Sequence, residues 1–130
     1  MHTIDFTANG VLIRYTGAVC SKEMSLAAAK VQRANEFANC QYAIHDLTAC
    51  DSLAVEKVEL STAAVRANVA VRRAHNVFVV AFVGSVPELD EMVSHVKRMD
   101  AYEKELQHFQ NLDDACDFIE QFTGSRPPIG

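Results

Sequence analysis

The chain has 130 residues, 49% hydrophobic and 22% charged, the size and composition of one globular domain with no room for a second. Its formal net charge of -5 and scattered basic residues oppose nucleic-acid binding, which draws its affinity from clustered Lys and Arg. No basic-flanked apolar leader is present, and the longest unbroken apolar run, Val77 to Val83, is far short of the roughly 20 residues that span a bilayer, so a cytoplasmic protein without a membrane span is expected.

The first predicted element is a hairpin, "HTIDFTANGVLIRYTG", in which two alternating runs are joined by Asn9-Gly10, a pair that tolerates the positive φ of a tight turn. A two-residue loop there predicts Phe6 opposite Ile13 and Ile4 opposite Tyr15. "SKEMSLAAAKVQRANEF" follows as a helix with Ser21 as its N-cap and Met24, Ala27, Val31, Ala34 and Ala38 on one stripe. "QYAIHDL" is a short strand. A longer helix is then predicted from about Leu53 to Ala74, with Asp51 and Ser52 at its entrance and Arg72 and Arg73 near its negative end.

That second helix carries more apolar surface than one core face requires. Val58, Thr62, Val65 and Val69 form a stripe, and Leu60, Ala63, Ala64, Ala67, Ala70 and Val71 extend it. Either a second copy, another protein or an apolar ligand covers the excess, or alanine simply sits on a helix surface at little cost. "NVFVVAFVG" reads as the middle strand of the sheet, buried on both faces. "SVPELDEMVSHVKRMDA" supplies a Ser85 cap, Pro87 in the first turn, and Leu89, Met92, Val93, Val96 and Met99 at helical spacing.

A last strand over residues 105–110 leads to a helix capped by Asn111, with Leu112, Ala115, Cys116, Ile119 and Phe122 on its stripe and Gly124 as its stop. Residues 1–124 are thus expected as one domain and 125–130 as a short tail. The order β-β-α-β-α-β-α-β-α predicts an α/β fold: a mostly parallel five-stranded sheet with an N-terminal antiparallel hairpin and four helices.

Signals for chemistry are sparse. Cys20, Cys40, Cys50 and Cys116 show no CxxC or CxxH spacing, which favours buried thiols over a zinc site or a redox dithiol. His2, His45, His75, His95 and His108 form no i, i+4 pair, and neither GxGxxG nor GxxxxGK[ST] occurs. His45 and Asp46 alternate along a strand and so face opposite ways, while Cys50 has no neighbouring base or cation to activate it. No catalytic residue, metal ligand or cofactor is therefore expected. Met24, Met92, Met99, Phe37, Phe118 and Phe122 are read as core, with an adaptable pocket as the alternative.

The succession resembles the STAS-like domains of bacterial anti-sigma-factor antagonists, the SpoIIAA-like fold. "YAIHDLT" looks like the family's third strand ending in Asp, "NVFVVAFVG" like its next strand with a terminal Gly, and "LQHFQNLDDACDFI" like its closing strand and helix. The resemblance implies a non-catalytic regulatory module. It carries the family's phospho-acceptor role to Ser52, whose phosphate would meet the free N-H groups of a helix start. Leu53 and Ala54 stand where the family has a second small polar residue and Gly, and simple N-capping by Ser52 is the alternative.

The function expected from these readings is contact with a protein partner through the loop at residues 47–54 and the following helix. Asp46, Asp51 and Ser52 would present polar groups there, and Leu53, Val55 and Val58 the apolar anchor; the second helix also suggests a homodimer. The alternative is a small lipid or other apolar-ligand binder that uses space between helices and sheet.

Overall fold

The computed structural model describes residues 1–74, 78–99 and 104–129; His75 and Val77 lie outside the described residues. Five strands, β1 (His2–Phe6), β2 (Gly10–Cys20), β3 (Tyr42–Ala54), β4 (Phe78–Val83) and β5 (Lys104–Phe109), alternate with α1 (Ser21–Arg33), α2 (Lys57–Ala74), α3 (Pro87–Met99) and α4 (Leu112–Thr123), and a 3₁₀ turn, Asn35–Asn39, follows α1. The strand order is β1-β2-β3-β4-β5. The first pair is antiparallel and the other three are parallel, as the order of elements predicts.

Because the parallel crossovers step across the sheet in one direction, connections of the same hand deliver α1, α2 and α3 to one face. The last helix makes no crossover and returns over the other. Two cores result. Under α1, α2 and α3 lie Val11, Ile13, Ala43, Leu47, Val80 and Phe82, packed on Met24, Ala27, Leu89 and Met92. Under α4 lie Leu12, Ile44, Val79, Ala81 and Val83, packed on Ala115, Cys116 and Ile119. Every residue of β4 is buried, as its apolar run predicts, although the middle strand is β3 and β4 lies beside it.

The hairpin register differs from the expected one. Phe6 pairs with Val11 and Ile4 with Ile13, and Thr7 N donates to Gly10 O at 2.8 Å. The turn is therefore Ala8-Asn9, one residue earlier than predicted. A two-residue shift of register returns each side chain to the same face, so the apolar side of the ribbon is unchanged. Gly10 does not have positive φ; a Cβ on it would lie 2.2 Å from the ring of Tyr42, its partner on β3. Close approach of an aromatic ring, not turn geometry, requires glycine there.

Ser21 is likewise not a cap. Cys20 occupies that position without a side-chain bond, and Ser21, fully buried, donates its hydroxyl to Ala54 O at 3.3 Å and accepts from Glu56 N at 2.9 Å. It ties the start of α1 to the segment entering α2. Replacing Ser21 with Ala removes the Glu56 N-H partner and is expected to cost about 1–2 kcal/mol, read as a lower urea midpoint at unchanged m-value. The helix stops at Arg33, so Ala34 and Ala38 fall outside it, and Ala38 is exposed.

The largest departure is at β3. Its pairing with β2 continues past Asp46 through two irregularities, to Ala18 opposite Ser52 and Cys20 opposite Ala54. Ser52 and Asp51 are thus strand residues and cap no helix; α2 begins at Lys57. The reason is the length of β2, whose eleven residues keep pairing along β3 as far as Ala54. Of the two apolar rows on α2, packing selects one as the inner face. Leu60, Ala64 and Val71 are buried, while Val58, Val65 and Val69 are 81%, 53% and 44% exposed.

The C-terminal elements follow the sequence. Asn111 caps α4 by accepting from Asp114 N at 2.9 Å, and Gly124 ends it at φ 80°. The residues after it pack down: Arg126 pairs with Asp117 and Asp113, Pro127 is buried, and Ile129 joins the second core.

Candidate functional site

Between α1, α2 and the sheet lies a cavity of about 110 Å³. Ala28 of α1 and Ala63, Ala64 and Ala67 of α2 line it, with Met92 of α3 and, from the sheet, Ile13, His45 and Phe82. The cavity exists because the facing helix positions are alanines. Such side chains let helices approach the sheet but do not fill the space between them. The half-exposed Ser25, Gln32 and Ala63 stand among the lining residues. Met24 and Phe37 line it too, whereas Met99 and Phe122 are exposed and Phe118 packs under α4 on the opposite face.

Among the described residues one titratable side chain lines this apolar space. His45 is 8% exposed, its Nδ1 is 2.9 Å from the Tyr15 hydroxyl, and its ring stacks on Phe82 at 4.7 Å and 12°. Burial lowers its pKa from 6.5 to about 4, so the imidazole is neutral at pH 7. Burial also raises the Tyr15 phenol, with Glu23 adding a smaller push in the same direction. The pair is a neutral hydrogen-bonded unit.

A pH dependence follows. In the unfolded chain His45 takes a proton near pH 6.5, whereas in the folded chain it does so only near pH 4. The unfolded state therefore binds more protons between those values, and stability falls as pH drops through that window. The loss between pH 7 and pH 5 is expected to be about 2 kcal/mol. Urea midpoints at the two pH values measure it, and His45→Gln should remove this part of the slope.

The residues singled out from the sequence do not form one surface. Asp46 is only 8% exposed; its Oδ1 accepts from Thr48 N at 3.0 Å and Thr48 Oγ1 at 2.7 Å, and Arg14 Nε lies 3.9 Å from Oδ2. It organises the bulged end of β3. Leu53 is 4% exposed and belongs to the first core, which removes it as an anchor for a partner. Asp51, Ser52 and Val58 are exposed and Val55 is half-buried. Asp46 and His45 lie on opposite faces of the sheet, as alternation requires. Cys50 donates to Ser52 O at 3.0 Å, and burial pushes its thiol pKa up. That keeps it protonated and unreactive at neutral pH.

Among the described residues no group of three His, Cys, Asp or Glu side chains could hold a metal ion, and no helix is long and apolar enough to cross a membrane.

Comparison with solved structures settles the fold. The anti-sigma factor antagonist SpoIIAA in its unphosphorylated form superposes with a TM-score of 0.58 at 11% identity, over 96% of this chain and 100% of that one. The fold is SpoIIAA-like. A DUF3478-family protein with a SpoIIAA-like fold from Shewanella loihica PV-4 superposes at 0.50 and 16% identity, covering 92% of each chain. No protein-family model matches this chain, and no curated protein matches its sequence.

Sequence reasoning missed Tyr15, and treated His45 as an isolated histidine. A signal for His45 was present. It sits between Ala43 and Leu47 on the face of a strand inside an α/β sheet, where a histidine must be buried and therefore needs a partner.

Proposed function

We propose that this SpoIIAA-like chain is a binding protein without catalytic activity, and that it holds a small apolar molecule in the cavity beneath α1 and α2. The observation that carries the reading is the cavity itself, about 110 Å³ with walls almost wholly apolar. An engineered apolar cavity of about 150 Å³ takes up benzene, and this smaller one sets a compact apolar group, a small ring or the end of a short chain, as the occupant. Native mass spectrometry of protein prepared gently from its own host is expected to show an added apolar mass. Thermal stabilisation by added benzene should be lost in Ala67→Phe, which fills the space. A bare chain that gains no stability from benzene would end this reading.

A second reading, contact with a protein partner or a second copy, is supported by the exposed Val58, Val65 and Val69 on the outer side of α2, with Asp51 and Ser52 exposed on the preceding strand. In this reading phosphorylation of Ser52 acts by adding charge beside Asp51, because the residue lies in β3 and ahead of the start of α2. Ser52→Asp should then weaken partner binding more than Ser52→Ala. A monomeric mass at micromolar concentration by light scattering, unchanged in Val58→Asp, would remove the homodimer.

A further inference from the structure

The hydroxyl of Tyr15 is fully buried, and among the described residues its one hydrogen-bond partner is His45 Nδ1, at 2.9 Å. A buried phenol must donate its proton, because an unmade hydrogen bond in an apolar interior is costly. Burial keeps that phenol protonated and the imidazole neutral. The Tyr15 O-H therefore donates to Nδ1, and the single ring proton of His45 sits on Nε2. Among the described residues Nε2 has no partner, and His45 lines the cavity.

We infer that the ligand of this cavity carries one neutral hydrogen-bond acceptor, a carbonyl or similar oxygen, which accepts from His45 Nε2-H while the rest of the molecule is apolar. This rests on the ligand-binding reading above and names the chemistry of the ligand. Two observations select a neutral acceptor. Among the described residues no Lys or Arg lines the cavity, so a carboxylate there would be buried without a counter-ion. Stacking of His45 between the rings of Phe82 and Tyr15 also fixes the donor, so that a bound oxygen gains its hydrogen bond without ordering a side chain. Of the other polar groups lining the cavity, Ser21 already makes two hydrogen bonds, and Ser25 and Gln32 are half-exposed, where water competes.

The test uses the full chain and three probes of equal length, octane, 2-octanone and octanoate, each competing against ¹³C-labelled benzene, followed by NMR, in the wild type and in His45→Phe. The substitution is expected to weaken 2-octanone about tenfold, the usual worth of a buried hydrogen bond, and to leave octane unchanged. Should His45→Phe fail to fold, long-range ¹H-¹⁵N spectra of the wild type give the same answer. They are expected to show Nδ1 unprotonated and an Nε2 proton that shifts on adding 2-octanone but not octane. Equal behaviour of octane and 2-octanone in both measurements would overturn the inference while leaving the cavity a binding site. Tightest binding by octanoate as the carboxylate, with both ring nitrogens of His45 protonated in the ¹H-¹⁵N spectra, would overturn the neutral acceptor. If benzene and all three probes fail to bind, the ligand-binding reading itself fails.

Discussion

Leu53→Asp is expected to unfold the chain, and Val58→Asp to leave it folded. Both residues are read from the sequence as one apolar anchor, yet Leu53 is 4% exposed and Val58 81% exposed. Replacing Leu53 removes buried apolar contact worth roughly 2–5 kcal/mol and leaves a carboxylate in the first core without a partner, a further cost of several kcal/mol. Together these approach the whole stability of a domain, about 5–15 kcal/mol. Val58→Asp changes an exposed position near the positive end of α2 and should stay within about 0.5 kcal/mol of wild type. Circular-dichroism melting separates the two. A Leu53→Asp variant that melts like wild type would mean that the end of β3 is not packed on the core, and would restore residue 53 to the binding surface.

Gly10→Ala is expected to cost about 3 kcal/mol, an overpacking cost at the upper end of the usual range. The added methyl carbon would sit 2.2 Å from Tyr42 ring atoms, and the ring cannot step aside. Tyr42 is fully buried in the second core, and its hydroxyl is 2.6 Å from Thr7 Oγ1. Adding Tyr42→Leu to Gly10→Ala should recover part of the loss, so that the two changes are not additive. Urea denaturation of the single and double variants measures the coupling. Strict additivity would show that Gly10 matters through its backbone freedom and not through the ring.

The same two positions show what kind of information each level of structure holds. Gly10 is conspicuous in the sequence because Asn-Gly suggests a turn, but the turn forms at Ala8-Asn9 and the glycine serves a ring 32 positions away. Leu53 looks like the start of a helix because Asp51 and Ser52 are good caps. The long β2 ladder outweighs that local preference and holds residues through Ala54 as strand.

What the sequence by itself determined was the number, kind and order of the elements, the antiparallel start, the caps of α4 and the buried character of β4. These follow from periodicity and from residues whose preference acts within a few positions, and such effects need no knowledge of the rest of the chain. With the resemblance carried by YAIHDLT, NVFVVAFVG and LQHFQNLDDACDFI, they pointed to the SpoIIAA-like fold. Only the tertiary structure decided which side of α2 faces inward, where β3 ends, and that His45 and Tyr15 meet beside an alanine-lined cavity. Each depends on how far a neighbouring strand extends or how closely a helix sits on the sheet. Those distances are set by packing between residues remote in sequence, which no local pattern records.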